Sequence, residues 1–434
     1  MRTLANWLGG LASVAIVLFG AWYLIASQGW LPRLSDEQKA AIALMEQPLP
    51  SSDGDNALVT LELIHFDVPD ADLAKWQAYG SSGLQKALDA AGYHRLLKSA
   101  DIPNCGSDSR ACLEEVLDDP LAAREKQTRV AKVIARLPKL YRATYASARQ
   151  SSQKLDWLEP PAAFTTPGHL GGLDAALDFA DGDVESAVGK VCRQATFWRG
   201  LISHSDMLIA QLVAARYTIR AGEMLNGMVM REPLRATPSA DCLEAFVSLS
   251  AGERSLCNAM RGEHAFFTAI EFENDADQPL LGPGINKAHA NALFAAADAL
   301  LCDDDYVQAI RSDNQEAIKP LTCSWTEKLF DPAGCSLFQM GQAAYSDYIH
   351  RVDDYSANLS AIRSALAINS RTSGVTLMSA FQQRPDGDLR EQQRMDTQDD
   401  SFAVLTLAAG SFHHSYRFKP LPLRADESVE VPAE

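Results

Sequence analysis

LDAALDFADGDVESAVGKVCRQATFWRGLISHSDMLIAQLVAARY, residues 173–217, decides the fold class. Leu173 to Phe179 has helical apolar spacing, and Ala180-Asp181-Gly182-Asp183 is a turn. Asp183 stands where an N-cap carboxylate accepts the free backbone N–H groups of a helix start. From Val184 onward, Val191, Ala195, Trp198, Ile202, Ile209, Leu212 and Val213 recur close to every 3.6 residues, the stripe of a helix buried on one side. The pair resembles a single tetratricopeptide-type unit. No second copy follows at a fixed period, so the chain is not read as a solenoid.

Working outward, residues 151–172 are rich in Pro, Gly and Ser and read as the main internal boundary, with a linker over 157–172. Upstream, Ser35 and Gln38 form a capping box for a helix over Asp36 to Glu46. Asn56 caps a helix towards Phe66, Asp70 follows Pro69 to start another towards Ala90, and a further helix begins near Cys112. Ala122 to Gln150 reads as a long amphipathic helix broken or bent near Pro138. Downstream, Met207–Met230 is largely apolar but interrupted by Arg216, Arg220 and Glu223, which makes it a core helix. More helices are expected over Cys242–Val247, Leu256–Glu271, Lys287–Leu301, Asp304–Arg311 and Ser336–Asn369, the last with Asp353 and Asp354 on its surface. The pattern then alternates in Ser401–Ala409 and Phe412–Lys419 around Ala409-Gly410-Ser411, as a β-hairpin does.

The N-terminal end is of another kind. Residues 3–32 carry no charge, and Trp7–Trp30 is mostly apolar, long enough at about 1.5 Å per residue to cross a hydrocarbon layer about 30 Å thick. A cleaved signal peptide needs small residues before the cut, and Ile25 fits that pattern poorly. Trp22, Tyr23 and Trp30 have the character of interfacial anchors. The expectation is a retained signal anchor over 1–33 in the inner membrane, with the bulk of the chain in the periplasm.

The cysteines follow from that placement. Eight of them, at 105, 112, 192, 242, 257, 302, 323 and 335, all lie beyond the anchor, and none forms a C-x-x-C pair. An even number in an exported domain points to disulfides. Sequence proximity favours Cys105–Cys112, Cys242–Cys257 and Cys323–Cys335, leaving Cys192 and Cys302 for a long-range bridge; buried free thiols are the alternative.

The expected architecture is mainly α: the N-terminal transmembrane helix over 1–33, a helical region over 34–156, the linker, a helical core over 173–372, a β-hairpin region over 373–424 and an acidic tail over 425–434. With 56 acidic and 39 basic residues the net charge is −17, which disfavours nucleic acid and suits a basic protein partner.

Chemistry is sparse. Ser203-His204-Ser205-Asp206 has the letters of a hydrolase triad, but helix neighbours point about 100° apart and no G-x-S-x-G elbow is present. Glu263, in RGEHAFF, is the one candidate acid; glycoside hydrolysis would require a second carboxylate across a cleft, and the bland reading pairs Glu263 with Arg254 or Arg261. The signature of helical lytic transglycosylases is absent. His413 and His414 would face opposite sides of a strand, Asp303-Asp304-Asp305 reads as a helix cap, and Gly282-Pro283-Gly284 as a turn, so no metal or cofactor is expected.

Three segments, NALVTLELIHFDVPDADLAKW (56–76), VCRQATFWRGLISHSDMLIAQLVAARY (191–217) and CLEAFVSLSAGERSLCNAMRGE (242–263), resemble an uncharacterised family of signal-anchored helical envelope proteins from Xanthomonas-like gammaproteobacteria. The resemblance covers about half the chain, rests on Cys, Trp-Arg and Gly-Glu features, and implies an inner-membrane, periplasm-facing protein without supplying an activity. Leu249–Glu253 also looks like part of the lipase-specific foldase signature, whose Arg-x-x-Phe-Asp-Tyr half is missing here. Three functions are therefore carried: a non-enzymatic protein-binding protein (an immunity factor against a periplasmic toxin or an envelope adaptor), a membrane-tethered folding or secretion chaperone, and a peptidoglycan-active hydrolase using Glu263.

Overall fold

The structure is a computed structural model that describes residues 13–24, 33–47, 54–79, 84–97, 109–147, 162–269, 285–312, 314, 318, 321–341, 345–372, 374–385, 392–399, 402–407 and 421–424. The chain forms two compact units: residues 1–48 with 263–346, and residues 49–262 with 347–434. Both are discontinuous in sequence.

In the larger unit (49–262 with 347–434) the helical hairpin is central. The Val184–Ser203 helix packs along the Leu208–Arg231 helix, and the Ala162–Ala180 helix lies against both. Asp183 caps as expected, accepting from Ser186 N, and Gly182 takes the turn with φ +81°. The apolar stripe is not one helix, however. It breaks at His204–Met207, where the Ser205 hydroxyl accepts from Met207 N at 3.1 Å, and the register restarts with Ile209 43% exposed.

The expected linker over 157–172 is corrected in its described part: residues 162–172 belong to the Ala162–Ala180 helix. Its glycines mark close approach, not a loop. A Cβ at Gly168 would stand 2.1 Å from the Tyr217 ring, and one at Gly171 would stand 2.2 Å from Gln194 Nε2. Composition cannot distinguish these two uses of glycine. The long helix expected over 122–150 is Pro120–Ile134, capped by Asp119 with Pro120 in its first turn, followed by the short Leu137–Leu140 helix.

The Tyr345–Asn369 helix runs through the core with Val352, Leu359, Ile362, Leu366 and Ile368 buried, and the expected continuous helix from Ser336 is divided into Pro332–Gly341 and Tyr345–Asn369. Asp354, expected on its surface, is buried at 3% exposure. This helix is enclosed on more than one side, so a single amphipathic stripe does not describe it.

The C-terminal sheet is three-stranded and antiparallel: β1 (Gln393–Asp399), β2 (Phe402–Leu407) and β3 (Leu421–Leu423), in that order. β2 matches the first expected strand. Its partners are the preceding β1, with Asp399 opposite Phe402, and the following β3, with Leu405 opposite Leu421. The expected second strand, Phe412–Lys419, lies outside the described residues. β1 (QRMDTQD) escapes sequence reading because it has almost no apolar alternation. β3 is tied to helices by Asn226 and Asn369, whose amides donate to Pro422 O at 3.2 and 3.1 Å. Asn369 also accepts from Arg424 N at 2.7 Å.

In the smaller unit (1–48 with 263–346) the Asp36–Met45 helix, opened by the complete Ser35/Gln38 capping box, packs on the Lys287–Leu300 helix. That helix packs in turn on Pro332–Gly341, around Leu293, Ala297, Phe338 and the Cys323–Cys335 bridge. Residues 13–24 are helical; among the described residues no helix is long and apolar enough to cross a membrane. Residues 1–12 and 25–32 of the expected anchor lie outside the described ones.

Disulfides are present in both units. Cys323 pairs with Cys335, and Cys192 pairs with Cys242 at a Cα separation of 5.1 Å. The second bridge corrects the expected Cys242–Cys257 pairing and takes Cys192 away from Cys302. It joins the Val184–Ser203 helix to the Ala240–Glu244 helix, a contact that proximity in sequence cannot reveal. Cys112, Cys257 and Cys302 are also disulfide-bonded, and Cys105 lies outside the described residues.

Candidate functional site

The site with the most chemistry lies in the smaller unit and was not singled out in the sequence. His289, on the first turn of the Lys287–Leu300 helix, is 1% exposed and held between two carboxylates. Its Nδ1 is 2.8 Å from Asp331 Oδ2 and its Nε2 is 3.2 Å from Glu327 Oε1. Local capping places each partner. Ser324 and Glu327 make a full capping box on the Trp325–Phe330 helix, and Asp331 accepts from Gly334 N at 2.9 Å as the next helix begins. Asn286 caps the His289 helix and donates its own N–H to Asp331 at 3.3 Å.

Burial works against a charge on His289, but the hydrogen bonds and charges of Asp331 and Glu327 outweigh it and raise its pKa. Both ring nitrogens then donate, as imidazolium. For Glu327, burial also opposes ionisation, and the Ser324 backbone and His289 reverse it, holding the carboxylate below its ordinary range. A histidine occupied on both nitrogens has no lone pair for a substrate proton. What it supplies is orientation: it fixes the Glu327 carboxylate, which also accepts from Gln38 Nε2 at 3.2 Å.

Glu327 stands in the wall of a cavity of about 880 Å³ between the Asp36–Met45 and Lys287–Leu300 helices. Ala41, Leu44, Leu293, Ala296, Leu300 and Phe338 provide its apolar lining, while Glu37, Asp303 and Glu327 outnumber Arg33 among its charges. The volume falls within the range of about 300–1,000 Å³ found for ligand clefts. Asp331 and Glu327 sit on opposite sides of the imidazole and cannot share an ion; among the described residues no group of His, Cys, Asp and Glu could hold a metal.

The sequence-derived candidates fall elsewhere. Ser203 and His204 touch, with Oγ to Nδ1 at 3.0 Å, but Asp206 turns away and accepts from Ser147 Oγ at 2.6 Å, so no relay forms. Asp303 accepts from Tyr306 N as a cap, in keeping with its sequence reading. His413, His414 and Gly282–Gly284 lie outside the described residues. Glu263 neighbours His264 and Asp298. His264 Nδ1 is 3.9 Å from Asp298 Oδ2, and both side chains are almost fully buried. Burial, then the nearby charge of Glu263, raises the Asp298 pKa well above the ordinary carboxylate range. None of these three residues lines the cavity.

Two sequence segments set apart above are tied by a charge clamp in the larger unit. Arg199, from the Trp-Arg feature, donates to both oxygens of Glu253, from the Gly-Glu feature, at 2.5 and 2.8 Å. It also donates to Val247 O at 2.6 Å and Ser248 O at 3.2 Å. Burial opposes the charge on Glu253, and Arg199 with Ser250 lowers its pKa below the usual value. This is a folding contact, which gives the Leu249–Glu253 run a structural use. No protein-family model, no curated protein and no solved structure matches the chain.

Proposed function

We propose that this chain is a non-enzymatic protein-binding protein of the bacterial envelope, held at the inner membrane by its N-terminal helix, with the cavity of the smaller unit as its docking groove. The observation that carries the reading is the combination of an apolar lining with a Glu327 carboxylate fixed by His289. The matching occupant is a partner segment with apolar side chains for Leu44, Leu293 and Leu300 and a lysine or arginine for the acidic rim. The disulfides fit the periplasmic placement, since such bonds persist in oxidising compartments. Toxin immunity and envelope adaptation are two uses of the same groove.

Copurification from envelope membranes with the full-length chain tests this. Wild type is expected to retain a stoichiometric partner whose yield falls as salt rises. Ala296→Trp, which fills the groove, is expected to lose it. Equal recovery by Ala296→Trp rejects the groove. Turnover of peptidoglycan by the purified chain that disappears in Glu263→Gln selects the hydrolase instead. A captured lipase precursor, lost in Ala296→Trp, selects the chaperone.

A further inference from the structure

Residues 13–24 form a helix whose Val14, Ile16, Val17, Leu18, Phe19 and Leu24 are 56–72% exposed. Those positions cover the whole circumference of the helix, unlike the single buried stripe of a helix on a globular surface. Near its C-terminal end, the Trp22 indole N–H donates to Leu329 O at 2.9 Å. This contact ties the apolar helix to the Trp325–Phe330 helix. Trp325 lies one turn before Leu329 and is 74% exposed. At 100° per residue, Trp325, Lys328 and Leu329 share one face and Glu327 lies on the other, where it is occupied by His289 and Gln38. The outer face of this helix therefore presents an indole and an exposed ammonium.

We propose that the Trp325–Phe330 helix is a second membrane contact, lying in the headgroup layer at the level where residues 13–24 leave the bilayer. The inference rests on the reading of those residues as membrane-inserted. Trp22 and Trp325 are the amphipathic rings that concentrate at a membrane–water interface, and Lys328 reaches lipid phosphate with its aliphatic stem along the apolar layer. The contact would fix the tilt of the smaller unit at the surface.

Photocrosslinking separates the two layers of the argument. Benzoylphenylalanine is placed at residue 325, and separately at 18, in the full-length chain reconstituted into phosphatidylethanolamine–phosphatidylglycerol vesicles. Lipid adducts from both positions are the expected result. Adducts from 18 alone overturn the surface contact and leave the anchor standing, whereas adducts from neither reject both. Adducts from 325 alone reject the anchor and, with it, the placement of this helix at the anchor's exit from the bilayer. With the probe at 325, Lys328→Gln is expected to lower adduct yield about fivefold in the anionic vesicles, the effect of roughly one lost surface cation. An unchanged yield removes Lys328 from the contact.

Discussion

In the larger unit, several buried polar side chains end on backbone. Arg199 reaches the carbonyls of Val247 and Ser248, and Asn226 and Asn369 reach that of Pro422. In the smaller unit Asp331, His289, Glu327 and Gln38, beside their bonds to backbone N–H groups, form a chain of side chains whose end stands in a cavity wall. Backbone carbonyls keep their hydrogen-bonding state at any ordinary pH, whereas a histidine between two carboxylates does not. One arrangement secures helices, and the other keeps a surface charge in place while remaining sensitive to protons.

The sharpest way to break this contrast is to cut the covalent ties. The Cys192–Cys242 bridge spans 50 residues and the Cys323–Cys335 bridge 12. In the chain-entropy model, replacing both cysteines of a pair by serine costs about 4 kcal/mol for the first and about 3 kcal/mol for the second. Hydrogen exchange of peptides from 208–231 and 287–300 in the unreduced variants reads the units separately. Each double variant is expected to lower protection chiefly in its own unit. Equal loss in both units from either variant would show one cooperative block instead of two.

Next in size is Arg199→Ala, expected to cost the larger unit about 3 kcal/mol because Glu253 and two carbonyls lose their buried partner. Arg199→Lys should recover little of it, since one ammonium cannot reproduce the two-pronged contact with Glu253. Urea denaturation followed by the same exchange peptides checks both. Full stability in Arg199→Lys would mean the clamp is only a charge.

How much of this was legible depended on the range of the signal. Caps are local, so Ser35, Asn56, Asp183 and Asp303 could be read directly and stand where helix starts require them. The core hairpin was legible because its apolar spacing spans many turns. The Gly168 and Gly171 helix was misread because a glycine packed against Tyr217 or Gln194 has the same letter as one in a loop. β1 was missed because a polar strand carries no alternation. The His289 site depends on residues 42 and 38 positions apart in sequence meeting in space, and no spacing rule reaches that far. Its only local traces were the capping boxes on either side.

The N-caps give a smaller and more pointed comparison. Asp183→Ala in the larger unit and Ser324→Ala in the smaller are each expected to cost about 1 kcal/mol. Their functional effects should differ. Ser324 Oγ accepts from Glu327 N, so its loss loosens the residue that presents charge to the groove. Partner recovery is expected to fall with Ser324→Ala and to hold with Asp183→Ala. Equal recovery would detach Glu327 from binding.

The smallest effect is a slope in pH. The folded-state pKa of His289 is raised above the ordinary 6.5, against the opposing effect of burial, by Asp331 and Glu327. Its contribution is therefore complete below pH 6.5 and disappears as pH rises through the raised value. Glu327 is shifted down from 4.5, so its contribution is present above that pH and is lost as pH falls through the lowered value. Glu253 gives the larger unit an acid limb of the same sign. Asp298, raised by burial and then by Glu263, makes the smaller unit lose stability as pH rises above 3.8, so the His289 share is read as a difference between wild type and His289→Asn. Exchange protection of 287–300, corrected for the intrinsic pH dependence of exchange, should fall as pH rises above 6.5 more steeply in wild type than in His289→Asn. Parallel slopes would mean that His289 is neutral in the folded chain, and the fixed charge at the groove wall would then have to come from Glu327 without it.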